Sequence, residues 1–115
     1  MQAVLHIANL PEAALDAAAV FHGAPLAEAR AALAGACDAL ALVFPPAPHD
    51  HAGWRKAAVA DLARAAAPKR VNALAGSDPG AISAALAWLE NAPGITGQLL
   101  ALDGAGAVIP QNGAI

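Results

Sequence analysis

The chain has no tyrosine, and its aromatics are two phenylalanines and two tryptophans among 115 residues. Chemistry that needs a phenolic acid is therefore closed to it. A single cysteine, Cys37, excludes an intramolecular disulfide framework and fits a reducing compartment. Cys37 falls beside apolar residues at a predicted helix end, so it reads as a small buried hydrophobe. Charged residues make up only 13% of the chain and the formal net charge is −3, which offers no basic footprint for nucleic acid. No apolar run reaches the roughly 18 residues that a membrane span needs. Glu12 and Asp16 interrupt the apolar N-terminal stretch, and no basic segment precedes it, so it does not read as a signal peptide. The expectation is a cytoplasmic protein with neither a membrane nor a nucleic-acid partner.

What is present is hydrophobic, at 58% of residues, and much of it is alanine. Alanine favours helices that pack closely and leaves each Leu, Ile, Val and Trp more to do. The length suits one domain over residues 1–115. Residues 3–9 form a nearly continuous apolar run, as a strand buried on both faces does. Pro11 and Glu12 then open a helix. Residues 19–22 read as a second short strand, Gly23 and Pro25 punctuate it, and a helix follows. Residues 39–44, ALALVF, are a third strand. Three prolines and a glycine make PPAPHDHAG a loop. A helix over 53–67 stops at Pro68, and KRVNALAG is a strand. Ser77 or Asp78 caps the next helix, with Pro79 just inside it. GQLLALDG is the last strand, and residues 104–115 read as an extended arm.

Strand and helix alternate almost throughout. That pattern predicts an α/β domain of minimal, Rossmann-like, three-layer form. Its sheet is mostly parallel, of four to five strands, with helices on both faces. Such sheets place their sites at the carboxyl ends of the strands.

The segments KAAVADLARAAAPKRVNALAG and AALAWLENAPGITGQLLALDGA resemble the C-terminal third of the short-chain dehydrogenases/reductases. In that family a helix carries the catalytic lysine, the next strand reads RVN, and the last follows a TGQ turn and ends in DG. Lys56, Arg70-Val71-Asn72, Thr96-Gly97-Gln98 and Asp103-Gly104 stand where those motifs would. APGITGQLLALDG is similar to the pteridine-reductase-like branch, and residues 24–44 look like the helix and strand further upstream in the family. The resemblance is strongest over residues 54–106. It implies a Rossmann-like fold, a NAD(P) cofactor and hydride transfer to a carbonyl or pterin.

Departures from the family pattern fall at the chemistry. The family's tyrosine lies four residues before the lysine, where the ammonium lowers its pKa for proton transfer; here that position is Ala52. The Asn-Asn-Ala-Gly turn is replaced by Val43-Phe44 running into Pro45-Pro46, and no segment carries the catalytic serine. The glycine-rich turn after the first strand is Asn9-Leu10-Pro11-Glu12, in which Glu12 would repel a pyrophosphate. If a dinucleotide bound, the strand ends near Asn9, Val43 and Gly76 would hold it, and Lys56 or His51 would act. His51 lies next to the vacant tyrosine position, and its imidazole suits neutral-pH proton transfer.

Other constellations weigh less. His49-Asp50-His51 has metal-ligand residue types, but His6, His22 and Cys37 lack a zinc-type spacing to it. Five of the six cations, Arg55, Lys56, Arg64, Lys69 and Arg70, lie within sixteen residues. They read as a solvated helix face with a C-terminal cap, or else as a phosphate or carboxylate contact. Ser77 and Ser83 have no His/Asp arrangement beside them, and Thr96 between Gly94 and Gly97 reads as structural. Trp88 falls at the helical spacing of core or interface residues. The family's subunit contacts use the lysine helix and the last helix and strand, the segments kept best here. The expectation is a shortened, dehydrogenase-like protein that lost catalysis, needs no cofactor and kept assembly, as a homo-oligomer or beside a related subunit. The rival expectation is a NAD(P)-dependent reductase.

Overall fold

The computed structural model describes residues 1–102 and the strand backbone at 108–110. Five strands form one sheet in chain order: β1 (Gln2–His6), β2 (Ala39–Phe44), β3 (Arg70–Ala75), β4 (Leu99–Leu102) and β5 (Val108–Pro110). The first four are parallel, and β5 runs antiparallel to β4. The α/β, Rossmann-like arrangement is therefore present. Of the expected arm, residues 108–110 are extended, and 104–107 and 111–115 lie outside the described residues.

Helices α1 (Ala14–Phe21) and α2 (Ala24–Leu33) connect β1 to β2. Helix α3 (Ala52–Ala66) connects β2 to β3, and α4 (Pro79–Glu90) connects β3 to β4. The register puts Leu40, Leu42, Phe44, Val71, Ala73 and Leu99 on one face of the sheet. There they pack against Phe21, Ala29, Ala58, Val59 and Leu62 from α1, α2 and α3. The other face carries Val43, Leu74 and Leu100, which pack against Ala85 and Leu89 of α4. All six residues of β2 are buried, as its unbroken apolar run requires.

The three crossovers all step the same way across the sheet, so crossovers of one hand would put every helix on one face. Helix α4 lies on the face opposite α1–α3. The β3–α4–β4 connection therefore has the opposite hand to the other two, and the general right-handed preference assigns the left hand to it.

Two expectations change and a third is narrowed to one of its alternatives. Residues 19–22 are not a strand: Ala17 and Phe21, one turn apart, are both buried in α1. The alanines between them carry the helical period through to Phe21, and the chain turns at His22. Asp78, not Ser77, caps α4, its Oδ2 accepting from the Ala81 N–H at 2.8 Å. The cations are not one solvated face. Lys69 Nζ donates to the carbonyls of Leu33 at 2.6 Å and Gly35 at 2.9 Å, closing α2. Arg70 Nη1 donates to Leu89 at 3.0 Å and Ala92 at 3.1 Å, closing α4. Both use a cation where orphan carbonyls and the helix dipole favour one. Arg64 pairs with Asp61 on the surface, and Arg55 is buried.

Candidate functional site

The carboxyl ends of β1 and β2 open onto a cleft of about 610 Å³. One wall is the turn after β1, with Asn9, Leu10, Pro11 and Glu12; the other is Pro45, Pro46, Ala47 and Pro48, with His51 and Arg55. The prolines hold the second wall extended until one 3-10 turn, His49–His51, leads into α3. Asn9 turns the chain with φ 60°, a left-handed conformation that Asn tolerates better than most residues.

Under the cleft lies an aromatic cluster. The Phe21, Phe44 and Trp54 rings meet with centroids 5.5–5.7 Å apart. The Arg55 guanidinium carbon stands 4.6 Å from the Phe44 ring centroid and 5.7 Å from that of Trp54. Its Nη1 donates to the Pro45 carbonyl at 2.9 Å, while Nε is buried with no hydrogen-bond partner. Burial lowers the guanidinium's pKa from its ordinary value. The aromatic faces return about 0.5–2 kcal/mol, a fraction of the several kcal/mol that burying an unpaired ion costs.

Of the proposed catalytic residues, His51 lines this cleft and is 3% exposed. Both its ring nitrogens are engaged. Nε2 lies 2.8 Å from the Glu12 carbonyl, and Nδ1 lies 3.3 Å from Trp54 Nε1. The partners set the tautomer, because a carbonyl requires a donor at Nε2 and an indole N–H an acceptor at Nδ1. His51 thereby ties the β1–α1 turn to the start of α3. Lys56 is half-buried and is not among the residues lining the cleft. Ala52, at the position of the family's tyrosine, is 8% exposed.

Asn9 lines the cleft, whereas Val43 lies in the sheet core at 4% exposure. Gly76 follows β3 and packs on β4, where a Cβ would meet the Leu102 side chain at 3.1 Å. The structure thus places Asn9, His51 and Arg55 around one cleft and puts Val43, Gly76 and Lys56 elsewhere. Arg55 was missed as a cleft residue, although its spacing to Ala52, Val59 and Leu62 is that of one helix face. Among the described residues, no group of three His, Cys, Asp or Glu side chains is placed to hold a metal ion. No helix among them is long and apolar enough to cross a membrane.

The RVN and TGQ segments lie side by side. Thr96 Oγ1 accepts from the Val71 N–H at 3.0 Å, and the Gly97 N–H donates to the Val71 carbonyl at 2.7 Å. Buried Asn72 donates through Nδ2 to the Ile95 carbonyl at 2.9 Å, and its Oδ1 accepts from the Gln98 N–H at 3.1 Å. Gly97 takes φ 75° against Ala63 of α3, which explains the glycine there. These motif residues secure the turn that delivers β4 to β3.

The fold, a parallel sheet covered by helices with its cleft at the strand ends, is that of the Rossmann-like class. Within that class, the family model for SDR-like, short chain dehydrogenase-like proteins matches residues 5–102. The chain belongs to this family. Neither a curated protein nor a solved structure gives a match to it.

The cleft does not fit a dinucleotide pyrophosphate. Such a group wants backbone N–H donors and a close glycine backbone. Here Pro11 offers no N–H, the acidic residue Glu12 is among those lining the cleft, and α1 begins only at Ala14 without a side-chain cap.

Proposed function

We propose that this protein is a short-chain dehydrogenase-like protein without the family's acid–base catalysis, and that it acts as an assembly module. The observation that carries the reading is the state of the catalytic position. Ala52 replaces the proton donor, both nitrogens of adjacent His51 hold the fold together, and Lys56 lies outside the cleft. Assembly draws support from the surface. Trp88 of α4 is 50% exposed and follows exposed Ala84, one turn earlier, and exposed Ala87. Val4 of β1, on the same face of the sheet, is 41% exposed. An exposed tryptophan on an alanine-rich helix suits close approach of a second helix. The partner in this reading is a second copy or a related, longer subunit.

Sedimentation velocity at micromolar concentration tests it. The expected result is a dimer that Trp88→Glu weakens at least tenfold. A strictly monomeric chain that also captures no related subunit refutes the assembly role.

A second reading is a NAD(P)-dependent reductase of pterins or small carbonyls, of the pteridine-reductase-like kind, using Lys56 or His51. The position of the cleft at the strand ends favours it; the misfit of the turn after β1 weighs against it. NADPH, NADH and a pterin are titrated while Trp54 and Trp88 fluorescence and NADPH oxidation are followed. Saturable quenching with turnover would establish this reading over the first.

A further inference from the structure

The cleft contains a cation that the fold does not neutralise. Arg55 is 3% exposed, and no carboxylate among the described residues forms an ion pair with it. Its Nε is buried and unpartnered, and one backbone carbonyl, that of Pro45, is its only hydrogen-bond partner among those residues. Arginine does not shed its proton to escape such a site, because its pKa starts too high. Arginines buried this far are ordinarily paired. Arg55 also lines a cleft open to solvent, beside the Pro45 whose carbonyl its guanidinium reaches, so the missing partner has a route in.

We propose that the cleft binds a small molecule bearing a carboxylate or phosphate group, with Arg55 as the anchor for that group. A guanidinium presents a planar fork of donors that matches either oxyanion. Pro45, Pro46 and Pro48 form a rigid, largely apolar wall beside it, suited to an uncharged ligand body. Glu12 is another residue of the cleft lining and forms no ion pair with Arg55. A negative charge on this lining residue opposes a second negative charge on the ligand and favours a single anionic group seated on the guanidinium. This distinguishes the site from a pyrophosphate cradle, which the turn after β1 does not provide. The proposal is independent of the assembly reading, since the cleft and Trp88 belong to different parts of the surface.

The test follows the indole N–H resonances of the intact chain by NMR. Trp54 adjoins Arg55, and Trp88 on α4 serves as an internal control. Benzoate, phenyl phosphate and uncharged benzyl alcohol are titrated separately into the millimolar range. The expected result is a saturable shift of Trp54, with Trp88 unmoved, by at least one of the two anions. The tighter anion identifies the group as carboxylate or phosphate, and benzyl alcohol binds at least tenfold more weakly. Glu12→Gln, at an exposed position, tightens the anion about two- to fivefold by removing a rim charge. Arg55→Met weakens it about tenfold or more. Where Arg55→Met does not fold, Glu12→Gln and benzyl alcohol carry the decision. The proposal is overturned by no saturation with either anion, by equal binding of benzyl alcohol, by a folded Arg55→Met that binds as the parent does, or by weaker binding in Glu12→Gln.

Discussion

Replacing Asn72 with alanine should destabilise the protein without touching the cleft. The side chain is 2% exposed and makes two hydrogen bonds across the turn before β4, to the Ile95 carbonyl and from the Gln98 N–H. Each bond contributes about 1 kcal/mol net, and the two orphaned backbone groups add a penalty of similar size, for a total of about 2–4 kcal/mol. A domain of this length holds about 5–15 kcal/mol in all. With a urea slope of about 1–1.5 kcal/mol per molar for so small a chain, the midpoint falls by roughly 2 M. Far-UV circular dichroism in a urea series measures it. Thr96→Val should cost less, about 0.5–1.5 kcal/mol, because it removes a single bond from the Val71 N–H at an exposed residue. The double variant should cost less than the sum, because both side chains hold one turn. A loss below about 0.5 kcal/mol for Asn72→Ala, the range of an inert surface change, refutes the reasoning that these motif residues are structural.

Three further outcomes are expected. Ala52→Tyr restores the family's residue but not its activity: the site is 8% exposed, so overpacking costs about 1–3 kcal/mol, read by thermal unfolding beside an NADPH oxidation assay. His51→Leu loses the links to Glu12 and Trp54 and lowers stability by about 2–3 kcal/mol; urea unfolding with the Trp54 indole resonance checks both. The amino-terminal ammonium donates to Asp38 Oδ1 at 2.8 Å and holds this exposed carboxyl below the usual carboxylate range. A depressed folded-state pKa means that its stabilisation is present above the unfolded value, about 4, and fades as pH falls through the folded one. Asp38→Asn should therefore matter at neutral pH and converge with the parent in acid, by urea midpoints across pH.

The fold was legible where one local signal ruled. Six apolar residues in a row made β2, and proline with aspartate placed the start of α4. Residues 19–22 misled because a short apolar run carries no period of its own; Phe21 belongs to a helix only once Ala17, a turn earlier, is counted with it. The hand of the last crossover was not legible at all. It depends on which face α4 covers, where Ala85 and Leu89 pack on Val43, Leu74 and Leu100 and where Gln2 and Arg70 hydrogen-bond to α4 carbonyls; those partners come from four different strands.

The candidate site divides along the same line. Resemblance singles out Lys56 and not Arg55, although the two are neighbours. Charge alone predicts that both face water. The period of α3 says otherwise: Ala52, Arg55, Val59 and Leu62 recur at intervals of three, four and three, and all four are buried. A cation on an apolar stripe must be paired, stacked or bound, because an unpaired buried charge is too costly to leave idle. Here it is stacked on Phe44 and Trp54 and only partly hydrogen-bonded. Inherited position singles out the lysine whose tyrosine is gone. Burial and missing partners single out its neighbour, the arginine that lines the cleft.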